Sequence, residues 1–207
     1  MSVVDNFLEF LIYKRIGKIR VANEKEYFEI SKLIKEKTGK SISIKIVDNK
    51  NYQAYSPPFS SSIYITEGLE EILTFEEKIA VIFHEVGHIY SPYRYLYVIP
   101  PLSILMVFIG LILFSFPSHL IYTIILCWFL GRGFAITLSP ISILNEKFAD
   151  DFSAKNIDKR YLISALRKFR EGDIPSLQKW AYYLFMFPFK THPSIEERIR
   201  RLEQTIL

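Results

Sequence analysis

The chain has 207 residues, half of them hydrophobic and 23% charged, with a formal net charge of +4. That composition excludes disorder and a collagen-like repeat, and a single cysteine, Cys127, excludes a disulfide scaffold or a cysteine-built metal cluster. The basic excess is mild and dispersed, which argues against nucleic acid and fits a protein lying against anionic lipid; the mean hydropathy of +0.16 is high for a soluble domain.

Residues 3–13 place Val3, Val4, Phe7, Leu8 and Leu11 at helical spacing, followed by Lys14, Arg15, Lys18 and Arg20. Residues 1–20 therefore read as an amphipathic N-terminal segment, either interfacial or docked on the domain. Asp5 and Glu9 interrupt its apolar run, so it does not read as an export signal. From Glu24 to Lys37, Tyr27, Ile30, Leu33 and Ile34 share one face ahead of Gly39, which predicts a helix with a glycine cap. Ser41–Val47 alternates strictly and predicts a half-buried strand. Asn51–Tyr55 offers a second strand and Ser62–Thr66 a third, short and β-branched, as at a sheet edge. Thr74-Phe75-Glu76-Glu77 is a capping box that opens a helix running to about Tyr90.

Charge placement then changes abruptly. The 37 residues from Tyr95 to Gly131 contain no Asp, Glu, Lys or Arg, and 13 of the 26 basic residues lie on each side of them. A bilayer core needs about 20 helical residues per crossing, so the stretch accommodates two crossings joined at Phe116-Pro117-Ser118-His119. Residues 95–138 are accordingly read as a transmembrane hairpin, with Arg132 snorkelling towards the basic side. A hairpin returns both basic flanks to one face, which the positive-inside rule assigns to the cytoplasm. Beyond it, helices are predicted near Ile143–Ala154, Lys159–Arg170 and Pro175–Phe185. A last amphipathic helix begins at His192-Pro193-Ser194 and runs to Leu202. Trp180–Phe189 is apolar but too short to span.

The chemistry resides in His84-Glu85-Val86-Gly87-His88, the pattern H-E-x-x-H. Histidines at i and i+4 leave one face of a helix a turn apart and can share a zinc ion, with the glutamate placed as general base on the attacking water. Gly87 costs about 1 kcal/mol in a helix interior, which implies close packing of another backbone or room for substrate. A catalytic zinc needs a third protein ligand. Positions 91 and 94 are Ser91 and Arg94, which excludes the metzincin pattern, and no acidic residue occurs from Val86 to Asn145. The first is Glu146, in Asn145-Glu146-Lys147-Phe148-Ala149-Asp150-Asp151. Glu146 is expected to ligate the metal, Asp150 to accept a hydrogen bond from the far nitrogen of a ligating histidine, and Ala149 to leave space for helix packing.

These residues resemble the HtpX and CAAX-prenyl-protease family of integral-membrane gluzincin metallopeptidases. The resemblance runs from about Asn51 to Leu202. It includes Asn51-Tyr52-Gln53-Ala54, the strand and turn Ile63–Leu69, His84–His88, the following hairpin, Glu146–Asp150, and Thr191-His192-Pro193-Ser194-Ile195-Glu196-Glu197-Arg198. The resemblance implies Glu146 as third zinc ligand and Glu85 as base. It implies that Asn51 and His192 face the scissile carbonyl and stabilise its oxyanion, where the bland alternatives are a turn residue and a cap beside Pro193. It also implies that Ser62–Thr66 is an edge strand that holds extended substrate. Two features depart from the family pattern: residues 3–13 stand where an N-terminal transmembrane hairpin is usual, and Tyr52 replaces the first alanine of N-A-x-A.

The expected fold class is α+β, mainly α: a gluzincin-like metallopeptidase domain from 21–94 and 139–207, with a small N-terminal sheet and an inserted transmembrane hairpin at 95–138. The expected function is that of a membrane-tethered zinc endopeptidase with one Zn2+ per chain. It would sit in the cell membrane with its catalytic domain on the cytoplasmic side and act on misfolded or membrane-associated polypeptides. CAAX processing is set aside, because the chain is too small to build that enzyme's multi-helix chamber. The competing reading is a catalytically silent relative, a metal-binding membrane protein that regulates or interacts. Oligomeric state and cleavage preference are not legible.

Overall fold

The computed structural model describes residues 18–22, 25–57, 60–96, 105, 109, 140–169 and 193–205. The predicted N-terminal segment 3–13, nearly all of the hairpin 95–138 with Arg132, the helix near Pro175–Phe185, the segment Trp180–Phe189 and His192 lie outside them. Among the described residues, no helix is long and apolar enough to cross a membrane. The chain divides into two compact units: Met1–Ser91, Lys147–Gly172 and Ser194–Leu207 form one, and Pro92–Glu146 with Asp173–Pro193 the other.

The first unit is built on a four-stranded sheet. Its strands are β1 (Ile19–Val21), β2 (Ser43–Val47), β3 (Ala54–Tyr55) and β4 (Ser62–Thr66), in the order β1-β2-β4-β3. β1 and β3 pair antiparallel with their neighbours, whereas β2 and β4 run parallel, Ser43 opposite Ser62 through Val47 opposite Thr66. Helix α1 (Lys25–Thr38) buries Tyr27, Ile30 and Ile34, and ends where Gly39 takes a positive φ of 73°. There the Gly39 amide donates to the Lys35 carbonyl, satisfying one of the last orphan acceptors. A short helix, α2 (Glu67–Ile72), leaves β4 with no intervening loop, where a turn was expected. Helix α3 (Phe75–Tyr90) follows. Then come α4 (140–156), α5 (Lys159–Phe169) and α6 (Ile195–Gln204).

The core sits between one face of the sheet and the helices. Ile44, Ile46, Ile63 and Ile65 pack with Tyr27, Ile30 and Ile34 of α1 and with Val81, Ile82, Phe83 and Val86 of α3. A second cluster joins Ala80 and Ala154 to Leu162, Leu166 and Leu202, so α5 and α6 seal the outer side of α3. The mainly helical α+β class with a small sheet is therefore as expected.

Two strand expectations need correction. β2 is not half-buried: Val47 is fully buried and even Lys45 is only 6% exposed, its ammonium 5.6 Å from the Tyr64 ring centre. β4 is not at the edge but between β2 and β3. Alternation records that two faces differ, yet a parallel strand flanked on both sides is enclosed regardless of that pattern. The edge beside β4 is instead β3, which is only two residues long.

Candidate metal centre

Helix α3 carries the H-E-x-x-H residues, and its start is fixed by local chemistry. The Thr74 hydroxyl accepts from the Glu77 amide, while Glu77 accepts from the Thr74 amide at 2.8 Å, the reciprocal capping box read in the sequence. Glu77 is itself buried and also accepts from Lys168 Nζ and Ser164 Oγ, each at 2.6 Å. Burial pushes its carboxyl up, but the Lys168 ammonium and these donors more than offset that and hold it below the ordinary value of 4.5. The N-terminus of α3 is thereby tied to α5.

The middle of α3 is fixed by contact with α4. A Cβ on Gly87 would lie 2.7 Å from Ala149 Cα and 3.1 Å from both Ala149 O and Phe152 Cβ. Only a glycine at 87 lets the two backbones approach this closely. Ser153 Oγ, one turn beyond Ala149, donates to the Ala80 carbonyl at 2.7 Å and pins the same crossing. Both packing expectations, for Gly87 and for Ala149, are met here.

This crossing brings Asp150 to the histidines of α3, while among the described residues the metal-capable group is His84, Glu85 and His88 and does not include Glu146. The Nε2 atoms of His84 and His88 are 3.1 Å apart, and their rings meet edge-on with centroids 4.7 Å apart. His84, Glu85 and His88 each offer a ligand atom within 4.8 Å of the others, and His84 and Glu85 are buried. Asp150, fully buried, faces His84: its Oδ1 is 3.0 Å from His84 Nδ1. A neutral His84 that donates from Nδ1 turns the lone pair of Nε2 towards His88. Two ring nitrogens converging at 3.1 Å, one from buried His84 and one from half-buried His88, suit a shared cation. Imidazole nitrogens bind such an ion at about 2.0–2.1 Å, so both rings could reach one ion at this separation. The donor set therefore fits a divalent metal that accepts imidazole nitrogen.

Two arginines of α6 complete the surroundings of Asp150. Arg198 grips the carboxylate through Nε to Oδ2 at 3.1 Å and Nη2 to Oδ1 at 2.6 Å. Arg201 adds Nη2 to Oδ2 at 3.1 Å and reaches Asp151 Oδ1 through Nη1 at 2.6 Å. Burial would push the Asp150 carboxyl up, but the hydrogen bond with His84 and the Arg198 charge reverse this and hold it far below the usual carboxylate range.

Other predicted residues are placed as follows. Glu146 is half-buried in α4, one helical turn before Asp150. Asn51 is exposed in the loop before β3, and it is the backbone of this loop that is fixed. Buried Thr66 shares its one hydroxyl proton between the carbonyls of Asn51 and Gln53 and accepts from the Gln53 amide. Arg198 was assigned no role from the sequence. Its signal was nevertheless present, for it lies on the α6 stripe Ile195–Arg198–Leu202, three residues after one packed apolar residue and four before another. A guanidinium on the buried stripe of an amphipathic helix implies an acidic partner.

A profile of the family described as Peptidase family M48 matches residues 29–206. No curated protein sequence matches the chain. Among solved structures, the chain is similar to the crystal structure of S. mikatae Ste24p, with a TM-score of 0.66 and 20% identity, over 96% of this chain and 55% of that one. The chain thus spans little more than half the length of that protein, and at this identity the likeness concerns the fold.

Proposed function

We propose that this chain, which belongs to peptidase family M48 as its motifs implied, is a zinc-dependent endopeptidase. The observation that carries the reading is the convergence of His84 and His88 at 3.1 Å with buried Glu85 in the same group. His84, His88 and Glu146 hold the metal, and Asp150 orients His84. Support for Glu146 is its position one turn before Asp150 in α4, and a carboxylate completes a three-ligand catalytic set. Zinc, when bound, supplies a Lewis acid that polarises the scissile carbonyl. Glu85 takes the proton of the attacking water and delivers it to the departing amine. Asn51 and His192 stabilise the developing oxyanion, a role drawn from the family resemblance and from the way Thr66 fixes the Asn51 loop. The substrate is an extended polypeptide, and β3, the short edge strand, is where its backbone can be paired.

The reading includes a membrane anchor at 95–138, with the metallopeptidase domain of 21–94 and 139–207 at the cytoplasmic face of the cell membrane. Its support is the uncharged 37-residue stretch, within which Leu105 and Ile109 are helical, one turn apart and exposed. Misfolded and membrane-associated proteins are the proposed substrates. Incubating detergent-purified, zinc-loaded protein with an unfolded protein substrate, beside Glu85→Gln, tests the proposal. Fragments are expected from the wild type alone and not after chelation. Equal inactivity of both proteins with zinc confirmed in the wild type would replace it with the silent-relative reading.

A further inference from the structure

We propose that Arg198 is a positioning residue for the metal centre, locking the ring of His84 from two sides and making α6 part of the metal site's frame. The inference rests on the metal-binding reading of His84 and His88. Arg198 reaches His84 by two routes. The first is indirect: its fork holds both oxygens of Asp150, and Asp150 Oδ1 meets His84 Nδ1. The second is direct: Arg198 Nη2 lies 3.3 Å from His84 Nδ1 and 3.4 Å from Nε2. An atom equidistant from these nitrogens, which flank Cε1, cannot lie in the ring plane at that range without colliding with Cε1. It therefore lies over the ring face. The carboxylate fixes rotation of the imidazole edge, and the guanidinium limits tilt of its plane.

Arg201 is the internal comparison. It touches the same carboxylate at 3.1 Å and carries the same charge, but its other bonds go to Asp151 and the Lys147 carbonyl. Charge alone would make the two arginines equivalent, whereas positioning singles out Arg198. A lysine at 198 supplies charge but no planar fork, so it cannot span both carboxylate oxygens and cover the ring.

α6 is well placed to deliver this group. Ser194 caps it with a reciprocal box to Glu197, the residue immediately before Arg198. Leu202 is fully buried one turn later, with Ile195 and Ile199 packed on the same cluster. The arginine is thus held from both ends of a ten-residue helix.

The test compares the full-length wild type with Arg198→Met, Arg198→Lys and Arg201→Met. Zinc affinity is measured by competition with a chromophoric chelator, and the visible spectrum of the cobalt(II)-loaded proteins reports ligand geometry. Far-UV circular dichroism and melting of the metal-free proteins establish folding. Arg198→Met is expected to weaken zinc binding by about 10–100-fold and alter the cobalt spectrum, as loss of groups supporting a ligating histidine does. Arg198→Lys is expected to lose about 10-fold, while Arg201→Met stays within about 3-fold. Wild-type affinity in Arg198→Lys, or an equal loss in Arg201→Met, would overturn the proposal in favour of bulk charge. Should Arg198→Met not fold, the lysine variant decides alone. A wild type that binds no more zinc than His84→Ala would instead sink the metal-binding reading itself.

Discussion

Replacing Gly87 by alanine probes the crossing on which the site depends. Two effects oppose each other. Alanine favours the helical backbone by about 1 kcal/mol over glycine. Its Cβ, however, would lie 2.7 Å from Ala149 Cα, a backbone atom that no rotamer change can remove. Carbon contacts are comfortable at about 3.5–4.0 Å, so α3 and α4 must separate by about 0.8 Å or more there. Overpacking of this kind costs about 1–3 kcal/mol, and a backbone obstacle places it at the upper end. The net expectation is a loss of about 2 kcal/mol, or a drop in melting temperature of about 4–8 °C. The metal site should suffer more than the fold, because Asp150 is the neighbour of Ala149. Opening the crossing stretches the 3.0 Å contact between His84 and Asp150 beyond hydrogen-bonding range. Thermal melting of the metal-free protein and chelator competition for zinc measure the two effects separately. An alanine variant as stable as the wild type with unchanged zinc affinity would refute this account of Gly87.

Two further predictions concern regions away from the histidines. Glu77 is held below its ordinary value of 4.5, so its stabilising contribution is complete above that value and disappears as pH falls through the lower folded-state value. Glu77→Gln is expected to cost about 1–2 kcal/mol at pH 7 and progressively less as pH falls through the lowered folded-state value; urea melts across the acidic range measure the difference, and a cost independent of pH would contradict the assignment. At Gly68, a Cβ would lie 2.2 Å from the Lys50 carbonyl oxygen, in the loop leading to Asn51. Gly68→Ala is expected to destabilise by at least about 2 kcal/mol and to slow peptide cleavage while leaving zinc affinity within about 2-fold, as steady-state rates and zinc titration would reveal.

Local signals in the sequence carried much of this architecture. Thr74 and Glu77 announced the start of α3 because a capping box involves only neighbours, and Gly39 announced the end of α1 for the same reason. Gly87 and Ala149 each suggested a close approach, since a glycine inside a helix must be compensated. The position of β4 was not legible. Ser-Ile-Tyr-Ile-Thr alternates identically at an edge or in the middle of a sheet, and its neighbours are decided by β2 and β3. Helix α2 was missed because Gly68 resembles a turn residue, although its lack of a side chain serves contact with Lys50. Arg198 was overlooked among the charges of Glu196-Glu197-Arg198. Its burial depends on an aspartate 48 residues earlier, a pairing that periodicity along α6 cannot express.

The contact of Arg198 with His84 also sets an order in time. Its partners are 114 residues apart, and α6 supplies the later one. A growing chain that has already delivered the H-E-x-x-H helix and Asp150 still lacks the arginine over the first histidine. On the proposed reading of this centre, the polypeptide would therefore carry an incompletely framed metal site while it is being made. Its own nascent segments, unfolded and close at hand, would meet that unfinished site until synthesis has passed Arg198.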